Sequence, residues 1–383
     1  MTAPADEQVS PEQAYGERVS GERVSPAQVS GERLAPERLA PEGLAPVRTL
    51  TLGAAINAGL RAAMDRDPKV VLMGEDIGAL GGVFRVTDGL LKDFGERRVM
   101  DTPLAESGIV GTAIGMAFRG YRPVVEIQFD GFIFPAFDQI TTSLAKLHYR
   151  TKGRLTVPLV IRVPFAGHIG AVEHHSESPE ALFAHTAGLR IVSPATPQDG
   201  YDMIQQSIAS PDPVLFLEPK ARYWDKGEVD STRVTAQLDL VDGASRATAE
   251  MAKARVAREG TDVTLMAYGP TVRLAMQTAV AAAEGGVSVE VLDLRSVSPF
   301  DYETILASIK KTGRGVVVHE APVAYGTGSE LAAHIAEHAF FHLHAPVLRV
   351  GGFHTPYPGS KFEHDYLPSL DRVLDAVDKV MAH

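Results

Sequence analysis

The chain has 383 residues, enough for two domains with complete hydrophobic cores, because a single core rarely grows beyond about 250–300 residues. Its hydrophobic fraction of 45% and charged fraction of 22% are those of an ordinary globular protein, and no apolar run approaches the roughly 18–20 residues that cross a membrane. A net charge of −11 disfavours nucleic acid and anionic membranes as partners, and the lack of cysteine excludes disulfides and thiolate chemistry. We therefore expect a cytoplasmic protein that binds small molecules or other proteins.

The N-terminal segment is repetitive. Residues 16–45 repeat in fives, as GERVS, GERVS, PAQVS, GERLA, PERLA and PEGLA. A Gly or Pro in each repeat interrupts a helix, and one Val or Leu per repeat cannot build a core. The segment is rich in Glu and lacks an apolar block, which is unlike a transit or signal peptide. The sequence predicts a disordered tail over residues 1–47.

Beyond this tail, short apolar runs alternate with segments that have helical spacing of apolar residues. The predicted elements of the first half are a helix at 50–64, a strand at 69–73, a helix at 107–118, strands at 122–129 and 155–163 separated by a helical segment at 137–149, a strand at 189–194, a helix at 199–208 and a strand at 213–218. Strands that alternate with helices of ten or more residues indicate a parallel sheet covered by helices on both faces.

A second cycle of the same kind follows a polar segment. Its predicted elements are strands at 262–268, 287–294, 315–320 and 346–350, and helices at 271–284, 302–311, 328–341 and 369–381. The sequence therefore predicts an α/β protein with two parallel-sheet domains, at 48–225 and 251–383, joined by a linker at 226–250.

Nucleotide and hydrolase motifs are weak or missing. Gly326 and Gly328 match the first two glycines of a dinucleotide fingerprint, but Leu331 occupies the third position. A glycine turn that starts a helix explains this stretch better. The chain contains neither a phosphate-binding Gly-x-x-x-x-Gly-Lys-Ser/Thr loop nor a Gly-x-Ser-x-Gly nucleophile elbow.

Several chemically capable side chains follow predicted strands, at the sheet edge where open α/β proteins bind ligands. Glu75 ends the first strand, and Glu106 precedes a run of small and apolar residues, where it either interacts with a helix dipole or works on a ligand. The adjacent His174 and His175 point to opposite sides of an extended chain, so a shared metal is not expected. One of them acts as an acid, a base or an oxyanion donor, or both are solvated loop residues.

Glu126 and a group of aromatic residues follow along the chain. Glu126 lies among apolar neighbours in a strand, so it is either buried and paired or faces a site. Phe129, Phe132, Phe134 and Phe137 belong to the core or offer a flat face that stacks on a heteroaromatic ligand.

Taken together, these motifs resemble one family, the β subunit of 2-oxo acid dehydrogenase E1 components. The resemblance covers residues 48–383 in order and spacing and excludes the repeats. The matching blocks are Gly74-Glu75-Asp76, Gly81–Thr87, Asp101–Gly111, Glu126–Gln139, His175-Ser176, Asp293-Leu294-Arg295, Lys311–Arg314 and Ala345-Pro346-Val347.

The resemblance implies a transketolase-like pyrimidine-binding domain at 48–225, a transketolase C-terminal-like domain at 251–383, and thiamine diphosphate as cofactor. It implies that Glu106 hydrogen-bonds N1′ of the aminopyrimidine and relays a proton, and that Phe132 packs on the pyrimidine ring. His175 is implied as the active-site histidine, and Glu75 and Gln128 are predicted to bind the cofactor as well.

The family shares its cofactor between an α and a β subunit. Thiamine enzymes hold Mg²⁺ and the diphosphate with a Gly-Asp-Gly motif followed by paired asparagines, whereas this chain has no Gly-Asp-Gly and Asn57 is its only asparagine. The resemblance thus implies that an E1 α subunit binds the metal in an α₂β₂ assembly, that this chain holds no metal there, and that the chain is inactive alone. A structural K⁺ is a further expectation left open.

The implied activity is oxidative decarboxylation of a 2-oxo acid and acyl transfer to the lipoyl group of E2, whose basic subunit-binding domain is expected to contact Glu363, Asp365, Asp371 and Asp375. The motifs favour a branched-chain substrate; pyruvate dehydrogenase, acetoin dehydrogenase and a non-catalytic assembly subunit are the alternatives. The chain departs from the family at Phe132, where Tyr is frequent, and at Glu177, where Gln is common. Glu177 either raises the pKa of His175 or faces water.

Overall fold

The computed structural model describes residues 47–233 and 249–383. Residues 1–46 of the predicted disordered tail and residues 234–248 of the predicted linker lie outside this range, whereas residue 47, the last of the predicted tail, begins a strand. The described part of the chain forms three sheets: one of seven strands, one of five and a two-stranded ribbon.

The seven-stranded sheet forms the centre of the first domain. In spatial order its strands are β12 (Ser296–Ser298), β6 (Arg190–Val192), β7 (Val214–Pro219), β5 (Val160–Phe165), β4 (Arg122–Glu126), β2 (Val70–Gly74) and β3 (Val99–Asp101). All neighbouring pairs are parallel except β12 with β6. Strands such as β2, β5 and β7 are buried at every residue, as expected of a parallel sheet covered on both faces.

The five-stranded sheet forms the second domain. Its order is β14 (Leu348–Gly352), β13 (Gly315–Pro322), β10 (Val263–Ala267), β11 (Val289–Asp293) and β9 (Arg255–Arg258), and only β9 is antiparallel to its neighbour. Because β12 follows β11 in the chain but pairs with β6, the second half of the chain supplies an edge strand to the first sheet. The two domains therefore share hydrogen bonds as well as packing.

Helices cover both sheets. In the first domain they are α1 (Leu52–Arg66), α2 (Leu90–Phe94), α3 (Glu106–Phe118), α4 (Leu147–Arg150), α5 (Glu180–Ala184) and α6 (Pro197–Ala209). In the second domain they are α7 (Val272–Glu284), α8 (Tyr302–Thr312), α9 (Thr327–Ala339), α10 (Glu363–Tyr366) and α11 (Leu370–Met381). None of the helices in the described ranges is long and apolar enough to pass through a bilayer.

Close packing of α1 on α6 shows why small residues recur in these helices. A Cβ atom on Gly59 would lie 2.4 Å from Cγ2 of Ile204, and one on Gly200 would lie 2.6 Å from Cδ1 of Leu52. The side chain of Thr51 begins α1 by accepting a hydrogen bond of 3.2 Å from the N–H of Ala54. The two helices can therefore approach only because glycine leaves room at both contacts.

The α/β prediction is confirmed, and each predicted strand and helix is present with ends shifted by a few residues. Two predictions need correction. Residues 226–230, assigned to the linker, form strand β8 (Lys226–Asp230), which pairs antiparallel with β1 (Val47–Thr51). The segment 137–149 is helical, but it divides into a π turn at Gln139–Ser143, a 3₁₀ turn at Leu144–Lys146 and α4. Apolar spacing predicts the buried face of such a segment but not its hydrogen-bond register.

Candidate functional site

The predicted site residues meet at the carboxyl ends of four strands that are neighbours in the first sheet. Glu106 follows β3, Glu75 follows β2, Gln128 follows β4, and the loop that contains His175 follows β5. The parallel arrangement brings these four strand ends to one edge, which is where open α/β sheets bind ligands.

Two carboxylates lie close together at this edge. Glu106 is the first residue of α3 and is 8% exposed, and Glu75 is equally buried. Burial raises the pKa of Glu75, and the nearby carboxylates of Glu106 and Asp76 raise it further. Oxygen Oε1 of Glu75 is buried and has no hydrogen-bond partner within the described structure. A buried carboxyl oxygen in this position is available to a ligand.

Gln128 connects this carboxylate pair to the neighbouring strand. Its side-chain Nε2 donates a hydrogen bond of 3.0 Å to Oδ2 of Asp76, the residue after Glu75. Gln128 is therefore fixed beside the acids, and Phe129 follows it directly into the aromatic part of the site.

His175 lies within an aromatic cluster. Its ring stacks on Phe129 with centroids 4.0 Å apart and planes 9° apart, and it meets Phe132 edge-on at 5.1 Å. Nδ1 of His175 lies 2.7 Å from the carbonyl oxygen of His174. Because a carbonyl oxygen only accepts, Nδ1 carries the hydrogen, and Nε2 is the basic nitrogen of the neutral ring. This packing and the tautomer together give the imidazole a defined orientation.

A buried ion pair lies beneath this cluster. Nζ of Lys220 lies 2.8 Å from Oδ1 of Asp130, and both side chains are fully buried. The other oxygen of Asp130 accepts a hydrogen bond of 2.8 Å from the N–H of Glu177. Asp130 thus joins the end of β7, the 3₁₀ turn that carries Phe132, and the loop that carries His175.

The 3₁₀ turn and the His175 loop are also in direct contact. A Cβ atom on Gly131 would lie 2.5 Å from both Cβ and the carbonyl oxygen of His174. Only glycine permits this approach without displacement of one of the two segments, so Gly131 contributes to the placement of the aromatic cluster.

Glu126 is buried and paired, which decides between the two interpretations of this residue. Arg162 lies between Glu126 and Glu218, with N–O distances of 2.6 Å to each, and all three residues are almost completely buried. Burial alone would lower the pKa of Arg162, but Glu218 and Glu126 raise it instead. Glu126 is therefore the buried and paired residue of the two interpretations, and Arg162 links it to Glu218 across β4, β5 and β7.

Glu177 is half-buried and lines a cavity of about 280 Å³ together with Phe134, Tyr357 and Tyr366. Burial raises the pKa of Glu177, and Asp130 and Glu173 raise it further. The histidine that acts in the opposite direction, lowering the pKa of Glu177, is His174 rather than His175. Neither earlier interpretation of Glu177 is therefore complete, because the side chain borders a cavity between the domains.

The structure contradicts the prediction for one of the four acids that were expected to contact E2. Glu363 is 5% exposed and accepts hydrogen bonds from the N–H of His168 and the hydroxyl of Tyr357, so it is not a surface residue. Asp365, Asp371 and Asp375 are exposed. Sequence reasoning also missed Asp130 and Lys220, which are 90 residues apart and carry no local signal of their pairing.

Comparisons with known proteins agree with this architecture. The family model described as "Transketolase, pyrimidine binding domain" matches residues 48–225, and "Transketolase, C-terminal domain" matches residues 252–373. A solved structure described as "Split gene transketolase, inactive beta4 tetramer" has a TM-score of 0.69 over 87% of this chain and 98% of its own. Its sequence identity is 21%, so it supports the fold alone.

Closer relatives define the family. The chain is 57% identical over 337 residues to the pyruvate dehydrogenase E1 component subunit beta of Leifsonia xyli, covering 88% of this chain and 96% of the relative. It is 49% identical to the 3-methyl-2-oxobutanoate dehydrogenase subunit beta of Mycobacterium tuberculosis, covering 87% and 92%. The chain belongs to the E1 β subunits of the 2-oxo acid dehydrogenase complexes.

Proposed function

We propose that this chain forms the pyrimidine-binding half of a thiamine diphosphate site, in an E1 that decarboxylates a 2-oxo acid and passes the acyl group to the lipoyl group of E2. The observation that carries the proposal is the proximity of the buried carboxyls of Glu106 and Glu75, at the same sheet edge as the aromatic cluster of Phe129, Phe132 and His175.

The residues present fit the aminopyrimidine end of this cofactor. A carboxyl that is shielded from water suits a ring nitrogen that must gain and lose a proton, and Oε1 of Glu75 is a buried acceptor without a partner in the described structure. Phe132 supplies an aromatic surface for the ring. Thiamine diphosphate held by these residues would supply a nucleophilic carbon and an electron sink for the decarboxylation of a 2-oxo acid.

Glu106 is assigned the exchange of a proton with N1′ of the aminopyrimidine. Glu75 lies close to Glu106, and burial, followed by the carboxylates of Glu106 and Asp76, raises the pKa of Glu75 and favours its protonated form.

His175 is assigned proton transfer to the reacting substrate or to the lipoyl sulfur. With Nδ1–H bonded to the carbonyl of His174, Nε2 is the atom that accepts or, in the protonated ring, donates a proton. Stacking on Phe129 keeps the ring in one plane, and a fixed ring is what efficient proton transfer requires.

An E1 α subunit is proposed as the obligatory partner. The chain lacks a Gly-Asp-Gly sequence and has a single asparagine, so the groups that hold Mg²⁺ and the diphosphate must come from another chain. The proposed assembly is α₂β₂. The exposed Asp365 and Asp371 are the proposed contacts for the basic subunit-binding domain of E2, and their replacement by Lys should weaken E2 binding measured by titration calorimetry.

The proposed substrate is a branched-chain 2-oxo acid. Phe132 and its neighbours and the Glu218–Lys220 segment favour this class, whereas the 57% identity to a pyruvate dehydrogenase subunit favours pyruvate as the second candidate. Comparison of kcat/KM for 3-methyl-2-oxobutanoate, pyruvate and acetoin with the purified α/β complex separates these candidates. A pyruvate value more than about tenfold above the branched-chain value, a difference of 1.4 kcal/mol in transition-state binding, rejects the first choice.

The proton-relay role is tested with Glu106→Gln in the reconstituted α/β complex. Loss of a positioned proton-transfer group should lower the rate of decarboxylation by roughly 10²–10⁴-fold. Glu96→Gln, which alters an exposed acid in the same domain, is the matched control and should retain wild-type activity. A Glu106→Gln complex that decarboxylates at the wild-type rate would falsify the assignment.

A further inference from the structure

A strained turn at the carboxyl end of β5 lies between the two domains. Ala166 and His168 have φ angles of +73° and +67°, and neither is glycine. Non-glycine residues rarely adopt this left-handed conformation, and it persists where the surrounding structure holds the backbone in place. Two such residues within three positions indicate that this turn, residues 166–168, is held by specific contacts.

The contacts come from two buried carboxylates of the second domain. The N–H of Gly167 donates to Oε2 of Glu320 at 2.8 Å, and the N–H of His168 donates to Oε1 of Glu363 at 3.0 Å. Glu320, near the end of β13, is 4% exposed, and Glu363, the first residue of α10, is 5% exposed. Consecutive backbone N–H groups in such a turn form a concave donor site, and carboxylates are strong acceptors for it.

The turn packs closely against Tyr357. A Cβ atom on Gly167 would lie 2.2 Å from the hydroxyl oxygen of Tyr357, which in turn donates to Glu363 at 2.7 Å. Nε2 of His168 also lies 3.5 Å from Oε1 of Glu320. Both carboxylates thus have side-chain contacts in addition to their bonds with the backbone of the turn.

Short hydrogen-bonded steps lead from this turn to His175. The N–H of Ala166 donates to the carbonyl of Glu177 at 3.0 Å, and the N–H of Glu177 donates to Asp130 at 2.8 Å. His175 precedes Glu177 by two residues and lies in the loop 167–177. The hydrogen bond between Ala166 and Glu177 joins the two ends of this loop. A displacement of the 166–168 turn would therefore move the imidazole away from the face of Phe129.

We propose that Glu320 and Glu363 are positioning residues for His175, through which the second domain sets the geometry of the active-site loop. The inference rests on the role of His175 in the proposed function. It assigns the C-terminal domain a part in catalysis in addition to packing, because the two carboxylates that hold the loop belong to that domain.

The test uses the reconstituted α/β complex with Glu320→Met and Glu363→Met, each of which removes the acceptor oxygens and roughly keeps the side-chain length. The control is Glu290→Met, which alters a fully buried carboxylate of the same domain that bonds Ser308 and Lys311 and does not contact the turn. Hydrogen–deuterium exchange without substrate is measured for peptides covering residues 166–178 and 263–293, together with kcat and KM for the 2-oxo acid and for acyl transfer to a lipoyl domain.

We expect both variants to exchange faster than the wild type in residues 166–178 and at the wild-type rate in residues 263–293. The kcat for acyl transfer should fall by about 10- to 100-fold, whereas the KM for the 2-oxo acid should stay close to wild type. Glu290→Met should alter neither the loop exchange nor kcat. Tyr357→Phe, which removes only the hydroxyl that holds Glu363, should reproduce the pattern with a smaller effect. It serves as the test variant if a methionine variant does not assemble.

Wild-type exchange in 166–178 for both methionine variants, or faster exchange throughout the chain, would overturn the proposal. Failure of the proposed function has a different signature. If His175→Ala retains the wild-type kcat, the role of His175 is wrong, whereas the exchange measurement still reports whether the two carboxylates hold the loop.

Discussion

The buried pair of Asp130 and Lys220 offers a quantitative test of how charge stabilises the site. Both side chains are fully buried, with 2.8 Å between Nζ and Oδ1. Burial lowers the pKa of Lys220 and raises the pKa of Asp130, so each charge depends on the other. Lys220→Met leaves Asp130 with the N–H of Glu177 as its remaining donor, and removal of one partner of a buried pair costs about 3–5 kcal/mol.

A double-mutant cycle separates the pairing from other effects. Asp130→Asn alone leaves a buried ammonium unpaired and should cost a similar amount. The double variant buries neither charge, so its cost should not exceed that of either single variant, which gives a coupling energy of at least roughly 3 kcal/mol. The deficit of Lys220→Met should also shrink as the pH falls from 7.5 to 5, because Asp130 without its partner has a still higher pKa and is readily protonated.

The free energy of unfolding is measured by urea titration of the purified chain, followed by the emission of Trp224, its only tryptophan. The matched control is Arg190→Met, which breaks the ion pair of Arg190 with Asp212, where the N–O distance is 3.2 Å. The side chains of this pair are 27% and 30% exposed. That loss should stay below about 1 kcal/mol. If the losses in free energy of unfolding of the two single buried-pair variants simply add in the double variant, the reasoning is refuted.

Three further predictions concern other parts of the chain. Burial raises the pKa of Glu180 to about 7, from a value near 4.5 in the unfolded chain. The folded protein therefore favours the protonated carboxyl. This contribution to stability is fully present below pH 4.5 and is lost as the pH rises through 7. The free energy of unfolding of Glu180→Gln, relative to the wild type, should therefore rise by up to roughly 3 kcal/mol between pH 5 and 9. The Tm of both proteins is measured at the two pH values, and a Tm difference that is the same at both contradicts this prediction. Gly131→Ala must displace His174 and should lower decarboxylation by the α/β complex more than about tenfold, whereas Gly359→Ala, which meets nothing within 4 Å, should not. Thr51→Ala removes the cap of α1 and should lower the free energy of unfolding by about 1 kcal/mol in urea titration; an unchanged value speaks against the cap.

The fold could be predicted from the sequence because its signals are local. Runs such as residues 70–74 are apolar throughout and become strands buried at every position, and the intervening helices show their own spacing. The edge of the sheet that carries Glu75 and Glu106 follows from the alternation of strands and helices, since parallel strands end on the same side. Resemblance to a family then singled out Glu106, Phe132 and His175, which composition and periodicity alone left with two explanations each.

Tertiary structure alone decided which charges meet. Asp130 and Lys220 are 90 residues apart, and the carboxylate of Glu320 reaches a backbone N–H 153 residues earlier in the chain. Glu363 had the sequence context of a surface acid, yet it is buried against the first domain. Periodicity reports whether a position faces the core, because it depends on neighbours within a few residues. The partner of a buried charge depends on how separate elements pack, and that information lies in no local stretch of the chain.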